Sequence, residues 1–176
     1  MMQEWETLNP KMYMKRADDL LAFNLKSGSN TVKAMGSREF WTRSMAAAYD
    51  GNILLYMRCP IERFVSGWRY FSYDRQDIHI DRGDKPNHCT LERWFEYATK
   101  ESPRNLHWVP VTVVHTHEGR FLPTDVRPLS ALPSRANTSS ALNKYDHYLD
   151  AEPHMRAVLE DWYKEDIELW RSVIGK

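Results

Sequence analysis

Apolar residues gather in three short runs along the chain, and longer segments with a helical period lie between them. The runs Leu20–Leu25, Asn52–Met57 and Val109–His115 have the length of strands, and the last is rich in β-branched residues. Turn-forming residues follow the first run at Ser27–Asn30. The pattern therefore predicts three short buried strands.

Helical patterns fill most of the intervals between these runs, and loops are predicted over residues 74–87 and most of 123–143. The predicted helices cover Met12–Asp19, much of Thr31–Tyr49, a segment opening at Pro60, Leu91–Thr99 after the N-cap Thr90, and a segment from Asp150 to about Val173. Strands that alternate with helices predict an α/β fold with a central parallel sheet flanked by helices. Ligands of such sheets bind beyond the carboxyl ends of the strands.

Length, composition and charge narrow the class of protein. The 176 residues favour one domain over residues 1–176, with residues 1–19 as a loose lead-in. Lys plus Arg number 24, as do Asp plus Glu, and this zero net charge argues against nucleic-acid binding. No apolar run can span a bilayer and no signal peptide is visible, so we expect a cytoplasmic protein outside the membrane. Cys59 and Cys89 form no CxxC pair, so no metal site is expected.

A polar turn follows the first predicted strand. It consists of Lys26, Ser27, Gly28, Ser29, Asn30 and Thr31. Backbone N–H groups at the start of a helix, with hydroxyls and one lysine beside them, suit an anion. The pattern Gly-x-x-x-x-Gly-Lys-Ser/Thr of nucleotide triphosphatases is absent. The alternative interpretation is an ordinary polar turn between a strand and a helix.

A second candidate site follows the second predicted strand. Arg58 stands at the strand tip, and Pro60 opens a helix. Glu62 and Ser66 share one face of that helix because they are four residues apart. An arginine in this position can donate two parallel hydrogen bonds to a phosphate. The alternative is that Arg58, Glu62 and Arg63 form surface ion pairs.

These two segments together resemble the sulfotransferase superfamily, especially the Golgi carbohydrate sulfotransferases. The polar turn after the first strand is similar to the 5′-phosphosulfate loop of that family. The 3′-phosphate motif of the family, Arg-Asp-Pro-x-x-Arg-x-x-Ser, is matched at Arg58, Pro60, Arg63 and Ser66, with Cys59 in the Asp position.

Three further stretches carry the resemblance, which touches roughly residues 20–173. Residues 60–71 are similar to the matching segment of uronyl 2-O-sulfotransferases. Asn105–Trp108 is similar to the Asn-x-His-Trp of chondroitin and dermatan 4-O-sulfotransferases. The C-terminal helix, with Tyr163 and Asp166, is similar to the closing Tyr-x-x-Asp helix of the family.

The resemblance implies a P-loop-like three-layer fold and transfer of the sulfuryl group of 3′-phosphoadenosine 5′-phosphosulfate (PAPS) to a hydroxyl acceptor, without a metal. Lys26 would stabilise the leaving phosphate, together with the backbone and hydroxyls of Ser27–Thr31. Arg58 and Ser66 would hold the 3′-phosphate. His107 is the first candidate for the general base, and Arg135 lies in a late loop that would close over the nucleotide.

Several alternatives stay open at this point. The acceptor is a sugar, a lipid, a small phenol or a peptide tyrosine. Two other functions remain as alternatives: a catalytically inactive nucleotide-binding module, and a P-loop-type small-molecule kinase. The absence of the Walker pattern argues against the kinase. Glu39 and Glu62 are reserve candidates for the base. His115 and His117 would share a face of a strand as metal ligands, but no third ligand is evident.

Overall fold

The computed structural model describes residues 10–23, 39–69, 90–101, 103, 105–132, 149 and 152–174. Its strands are β1 (Tyr13–Arg16), β2 (Asp19–Ala22), β3 (Phe40–Trp41), β4 (Asn52–Met57), β5 (Thr116–His117), β6 (Arg120–Phe121) and β7 (Asp125–Pro128). Its α-helices are α1 (Arg43–Ala47), α2 (Pro60–Arg69), α3 (Leu91–Glu96), α4 (Val111–His115), α5 (Pro153–Trp162) and α6 (Lys164–Ile174). A π-helical turn at Tyr97–Glu101 follows α3, and a 3-10 turn at Leu129–Ala131 follows β7.

The fold is mixed α/β, with a five-stranded sheet of strand order β3-β1-β2-β4-β7 and helices around it. Strands β2, β4 and β7 run parallel, whereas β1 runs antiparallel to both β2 and β3. The sheet is therefore mixed, and the prediction of a parallel sheet holds for its β2-β4-β7 side. Strands β5 and β6 form a separate small hairpin, which turns at Glu118 and Gly119 with positive φ angles.

Two predicted elements are confirmed closely. The apolar run Asn52–Met57 is β4, and all of its residues except Asn52 are buried. The helix opening at Pro60 is α2, which has ten residues. The strand predicted from Leu20 is β2 in its described part. The hydroxyl oxygen of Thr90 caps α3 by accepting from the backbone N–H of Arg93 at 3.2 Å, as its position before an apolar stretch predicts.

The predicted helix over Met12–Asp19 is wrong, because these residues form the hairpin of β1 and β2. Ala17 takes the left-handed conformation at the turn, with φ of 49°. Pairing with β2 and β3 buries Tyr13 and Met14 in the sheet core, so the lead-in ends earlier than expected. Strand β3 likewise lies inside the segment for which a helix was predicted, and of that segment's described residues only α1 is helical.

The predicted strand Val109–His115 is also wrong: its residues from Val111 onward form α4. The third parallel strand is instead β7, inside the stretch predicted to be a loop. β7 reads Asp-Val-Arg-Pro and lies at the edge of the sheet, where polar residues and proline are tolerated. The single C-terminal helix predicted from Asp150 is divided into α5 and α6 at Tyr163.

Two hydrophobic cores hold these elements together. The first lies on the sheet and includes Leu20, Leu55, Val111 and Val114. The second joins the faces of the helices, with these buried members: Ile61, Phe64, Val65, Trp68, Leu91, Trp94, Ala98, Trp108, Leu149, Met155, Leu159 and Tyr163. The rings of Trp94 and Trp108 meet edge to face at 4.7 Å. Trp68, Trp94 and Trp108 thus serve the packing of the second core. In the described ranges, no helix combines the length and apolar character needed to cross a membrane.

Candidate anion-binding site

The carboxyl ends of two parallel strands define the place where a ligand is expected. Ala22, the last residue of β2, pairs with Leu55 of β4, so both strands end at the same edge of the sheet. Arg58 follows β4 directly at this edge, and Pro60 then opens α2. The chain continues from β2 toward Lys26–Thr31, which lie outside the described residues. The strand register thus confirms the sequence prediction that Arg58 lies at the carboxyl ends of the parallel strands.

The Arg58 side chain is nearly enclosed by protein. The residue is only 9% exposed, and its Nε lies 3.6 Å from Oε2 of Glu62. Burial lowers the pKa of Arg58, and the neighbouring carboxylate of Glu62 opposes that shift. The guanidinium keeps its charge at neutral pH, because arginine does not deprotonate in proteins. A buried cation at the carboxyl edge of a parallel sheet is suited to an anionic ligand.

Helix α2 presents one narrow polar face beside Arg58. Its buried residues are Pro60, Ile61, Arg63, Phe64, Val65, Gly67 and Trp68, which leaves Glu62, Ser66 and Arg69 toward solvent. Ser66 is half-buried and lies one turn beyond Glu62, about 6 Å along the helix axis. Glu62 and Ser66 share this face of the helix, and Arg58, which lies before the helix, reaches Glu62. We call these three residues the Arg58 row.

Arg63 belongs to a different part of the molecule, although it lies in the same sequence motif. The residue is fully buried, and its Nη2 donates to the carbonyl oxygens of Trp108 at 3.2 Å and Val109 at 2.5 Å. The same nitrogen lies 3.7 Å from Oδ2 of Asp166, and the guanidinium carbon lies 5.4 Å from the ring centroid of Tyr163. The interpretation of surface ion pairs therefore fails for Arg63. Arg58 and Glu62 do form an ion pair, but it is largely buried, with side chains 10% and 21% exposed.

Asp166 completes this buried network from α6. Its carboxylate accepts hydrogen bonds from the backbone N–H groups of Val111 at 2.7 Å and Thr112 at 2.8 Å, and from the Thr112 hydroxyl at 2.8 Å. It thereby caps α4 from a distant part of the chain. Tyr163 donates its hydroxyl proton to the Trp108 carbonyl, and burial raises the pKa of this hydroxyl. The sequence singled out Tyr163 and Asp166 only as a resemblance and did not reveal this structural role.

His107 lies in a turn ahead of α4 and does not enter a strand. Its backbone N–H donates to the side-chain oxygen of Asn105 at 3.0 Å, and its half-buried ring lies 6.4 Å from the Trp108 ring. The following residue, Trp108, contacts Arg63 through its carbonyl, so the turn is attached to α2. Its position relative to Lys26 stays a prediction, since Lys26 lies outside the described residues.

The other histidines are separated by the fold. His115 ends α4 and is completely buried, whereas His117 lies in β5, so they do not share a strand face as the sequence had indicated. The Nδ1 of His115 and the hydroxyl of Tyr13 are 2.9 Å apart. Burial, with lesser effects of Arg63 and Arg43, lowers the pKa of His115 from 6.5 to about 3. Over the described part of the chain, no three His, Cys, Asp or Glu side chains come together as metal ligands.

Of the remaining predicted residues, one has a described contact and two lie outside the described part of the chain. The reserve base Glu39 accepts a hydrogen bond from the indole nitrogen of Trp41 at 2.7 Å, and Arg135 and Cys89 lie outside the described residues. Comparison of the chain with protein-family models, with curated proteins and with solved structures found no match. The Arg58 row is therefore the candidate site on which a proposal must rest.

Proposed function

We propose that this protein is a sulfotransferase, which moves the sulfuryl group of PAPS to a hydroxyl acceptor, with carbohydrates among the candidate acceptors. One observation carries the proposal: a nearly buried arginine follows β4, beside the end of the parallel strand β2 and two residues before the start of α2. A ligand phosphate at this edge would meet both the guanidinium and the α2 N-terminus. The resemblance of this segment to the sulfotransferase motif supports the choice of a 3′-phosphate.

The proposal gives each candidate residue a separate task. Arg58 and Ser66 hold the 3′-phosphate, which distinguishes PAPS from ATP and AMP. Lys26 and the residues Ser27–Thr31 hold the 5′-phosphosulfate, in the P-loop-like arrangement that the resemblance implies. Arg135 closes over the nucleotide from the late loop. The cytoplasmic location expected from the sequence stays part of this proposal.

The reaction needs no covalent intermediate on the protein. The acceptor oxygen attacks sulfur as the bond from sulfur to the 5′-phosphate oxygen breaks, and the products are a sulfate ester and adenosine 3′,5′-bisphosphate. Lys26 would stabilise the negative charge that grows on the leaving phosphate. A base must take the acceptor proton, and His107 is the candidate because its turn is attached to α2 through Trp108.

Nucleotide binding by the wild type and two arginine variants tests the proposal. The bisphosphate should bind more tightly than AMP, ADP or ATP, because only the bisphosphate has a 3′-phosphate. A charge-assisted hydrogen bond is worth about 1.5–3 kcal/mol, so the preference should be roughly 10- to 150-fold, and Arg58→Gln should remove most of it. Arg156→Gln is the matched control, since Arg156 pairs with Glu160 at the same four-residue spacing on an exposed face.

The outcomes separate the three functions that the sequence left open. Equal affinity of the wild type for bisphosphate and AMP would refute the 3′-phosphate assignment. A preference for ATP would favour the kinase. Bisphosphate preference without transfer of a sulfur label from PAPS to a panel of sugars, phenols and tyrosine peptides would favour the inactive nucleotide-binding module.

A further inference from the structure

We propose that Glu62 pairs with the Arg58 guanidinium and yields it to an incoming phosphate, so that Glu62 sets the affinity and the anion selectivity of the site. This inference rests on the proposed function, because it concerns the same arginine. It assigns Glu62 a role that differs from the reserve base named from the sequence. Glu62 acts through Arg58, so it is a residue that tunes binding and not a catalytic one.

The first argument is the geometry of the pair. Oε2 of Glu62 lies 3.6 Å from Nε of Arg58, and the two side chains are 21% and 10% exposed. The carboxylate is the more exposed partner and stands on the polar face of α2. The carboxylate can therefore reach water more readily than the guanidinium, which is more enclosed. A ligand that needs Arg58 must compete with this carboxylate.

The second argument is electrostatic. Glu62 lies in the first turn of α2, where the partial positive charge of the helix end favours a carboxylate. The same helix end and the same guanidinium are what a phosphate would use. Two anions on one guanidinium repel each other, and this repulsion is weakly screened near a partly buried site. Binding of the phosphate should therefore displace the carboxylate.

The third argument is the chemistry of the next residue in the Arg58 row. Ser66 lies one turn beyond Glu62 and carries no charge, so it can donate a hydrogen bond to a phosphate without repelling it. The row thus places a competing anion next to the guanidinium and a neutral donor farther along. This order would favour a doubly charged phosphate monoester over a singly charged anion, because only the stronger anion displaces Glu62.

The test is calorimetric titration of the wild type, Glu62→Gln, Arg58→Gln and the double variant. The probes are adenosine 3′,5′-bisphosphate, AMP and inorganic phosphate. Glu62→Gln should bind the bisphosphate about 1.5- to fivefold more tightly than the wild type, as expected for removal of one partly screened ion pair. The gain should disappear in the Arg58→Gln background, where no guanidinium remains to be released.

Glu160→Gln is the matched control for the change of net charge. Glu160 pairs with Nε of Arg156 at 3.1 Å and the same spacing, and both side chains are well exposed. This variant should leave the affinities unchanged. A thermal unfolding curve shows whether each variant is folded. A structural defect alone would weaken the binding of the bisphosphate, whereas the inference predicts tighter binding.

The outcomes distinguish this inference from the proposed function. An unchanged or weaker affinity of Glu62→Gln for the bisphosphate overturns the inference, while a wild-type preference for bisphosphate over AMP keeps the sulfotransferase proposal. In a further outcome, Glu62→Gln gains affinity for inorganic phosphate only when Arg58 is present, while no protein prefers the bisphosphate over AMP. That outcome supports displacement of Glu62 by phosphate and refutes the sulfotransferase proposal. An equal gain in Glu160→Gln overturns the inference, and absence of binding to every protein overturns both.

Discussion

Replacing Asp166 by alanine removes the carboxylate on which the buried network of α2, α4 and α6 depends. The change deletes three hydrogen bonds, two from backbone N–H groups at the start of α4 and one from the Thr112 hydroxyl. It also leaves Arg63, whose side chain is 1% exposed, without the carboxylate that lies 3.7 Å from its Nη2. In the described part of the chain, Nε and Nη1 of Arg63 already have no hydrogen-bond partner.

Breaking a buried ion pair by removing one partner costs about 3–5 kcal/mol, because the remaining charge stays buried and uncompensated. The total free energy of unfolding of a domain is about 5–15 kcal/mol, so Asp166→Ala should remove a large share of it. For a chain of this size, such a loss lowers Tm by roughly 6–20 °C. Asp166→Asn should fall between the wild type and the alanine variant, since its amide retains one acceptor oxygen.

Urea unfolding at pH 7, followed by tryptophan fluorescence, measures this loss directly. Trp94 and Trp108 lie in the core that the network supports, so their emission reports the transition. Asp161→Ala is the control, since Asp161 is an exposed acid at the end of α5. A loss of less than 1 kcal/mol for Asp166→Ala would refute the reasoning that this carboxylate compensates Arg63.

Three further predictions concern single residues. Lys26→Ala should lower turnover far more than bisphosphate binding, because charge grows on the leaving phosphate; near-normal turnover in a PAPS assay would remove Lys26 from this role. His107→Ala should lower turnover by roughly 10²–10⁴ with bisphosphate binding intact, and an unchanged rate would leave the base unidentified. Burial lowers the pKa of His115 from 6.5 to about 3, so the unfolded chain takes up a proton that the folded protein excludes. Stability should therefore fall by up to about 1.4 kcal/mol per pH unit as the pH drops from about 6.5 toward 3. His115→Gln should flatten this slope in urea unfolding, and equal slopes would contradict the prediction.

Local signals predicted the elements that carry the site, and these signals are strong in physical terms. β4 is a continuous apolar run after the turn at Asp50–Gly51, and Pro60 opens α2 because its fixed φ suits the first helical turn. A strand buried on both sides needs no alternation, so the apolar run itself is the signal. The sequence alone therefore places Arg58, at the junction of the two elements, at the carboxyl end of β4.

The elements that were predicted wrongly depend on distant residues. The β-branched Val111–His115 favours a strand by propensity, but Asp166 caps its first N–H groups from 55 positions away and stabilises a helix. β7 has little apolar pattern because it is a short edge strand, and its partner β4 supplies the pairing. In both places a long-range interaction overrides a weak local preference. The residues that make this interaction lie outside any sequence window around the element.

The structure divides the sulfotransferase-like motif into two kinds of residue. Pro60 and Arg63 serve the fold, the first by opening α2 and the second by joining α2 to Trp108 and Val109. A match at these two positions therefore indicates the architecture and says little about a ligand. Arg58 and Ser66 are different, because Arg58 pairs with Glu62 and Ser66 lies on the same half-exposed face of α2 as Glu62.

Arg58 is the position at which the argument for function is strongest. Burying a charged pair gives little net stability, and well-packed apolar side chains in its place are often as stable or more so. The Arg58–Glu62 pair is nearly buried at the carboxyl edge of the sheet, where a purely structural residue would not need a charge. A bound anion that exchanges with this carboxylate, as proposed, would give the buried charge a role that the stability of the fold alone does not require.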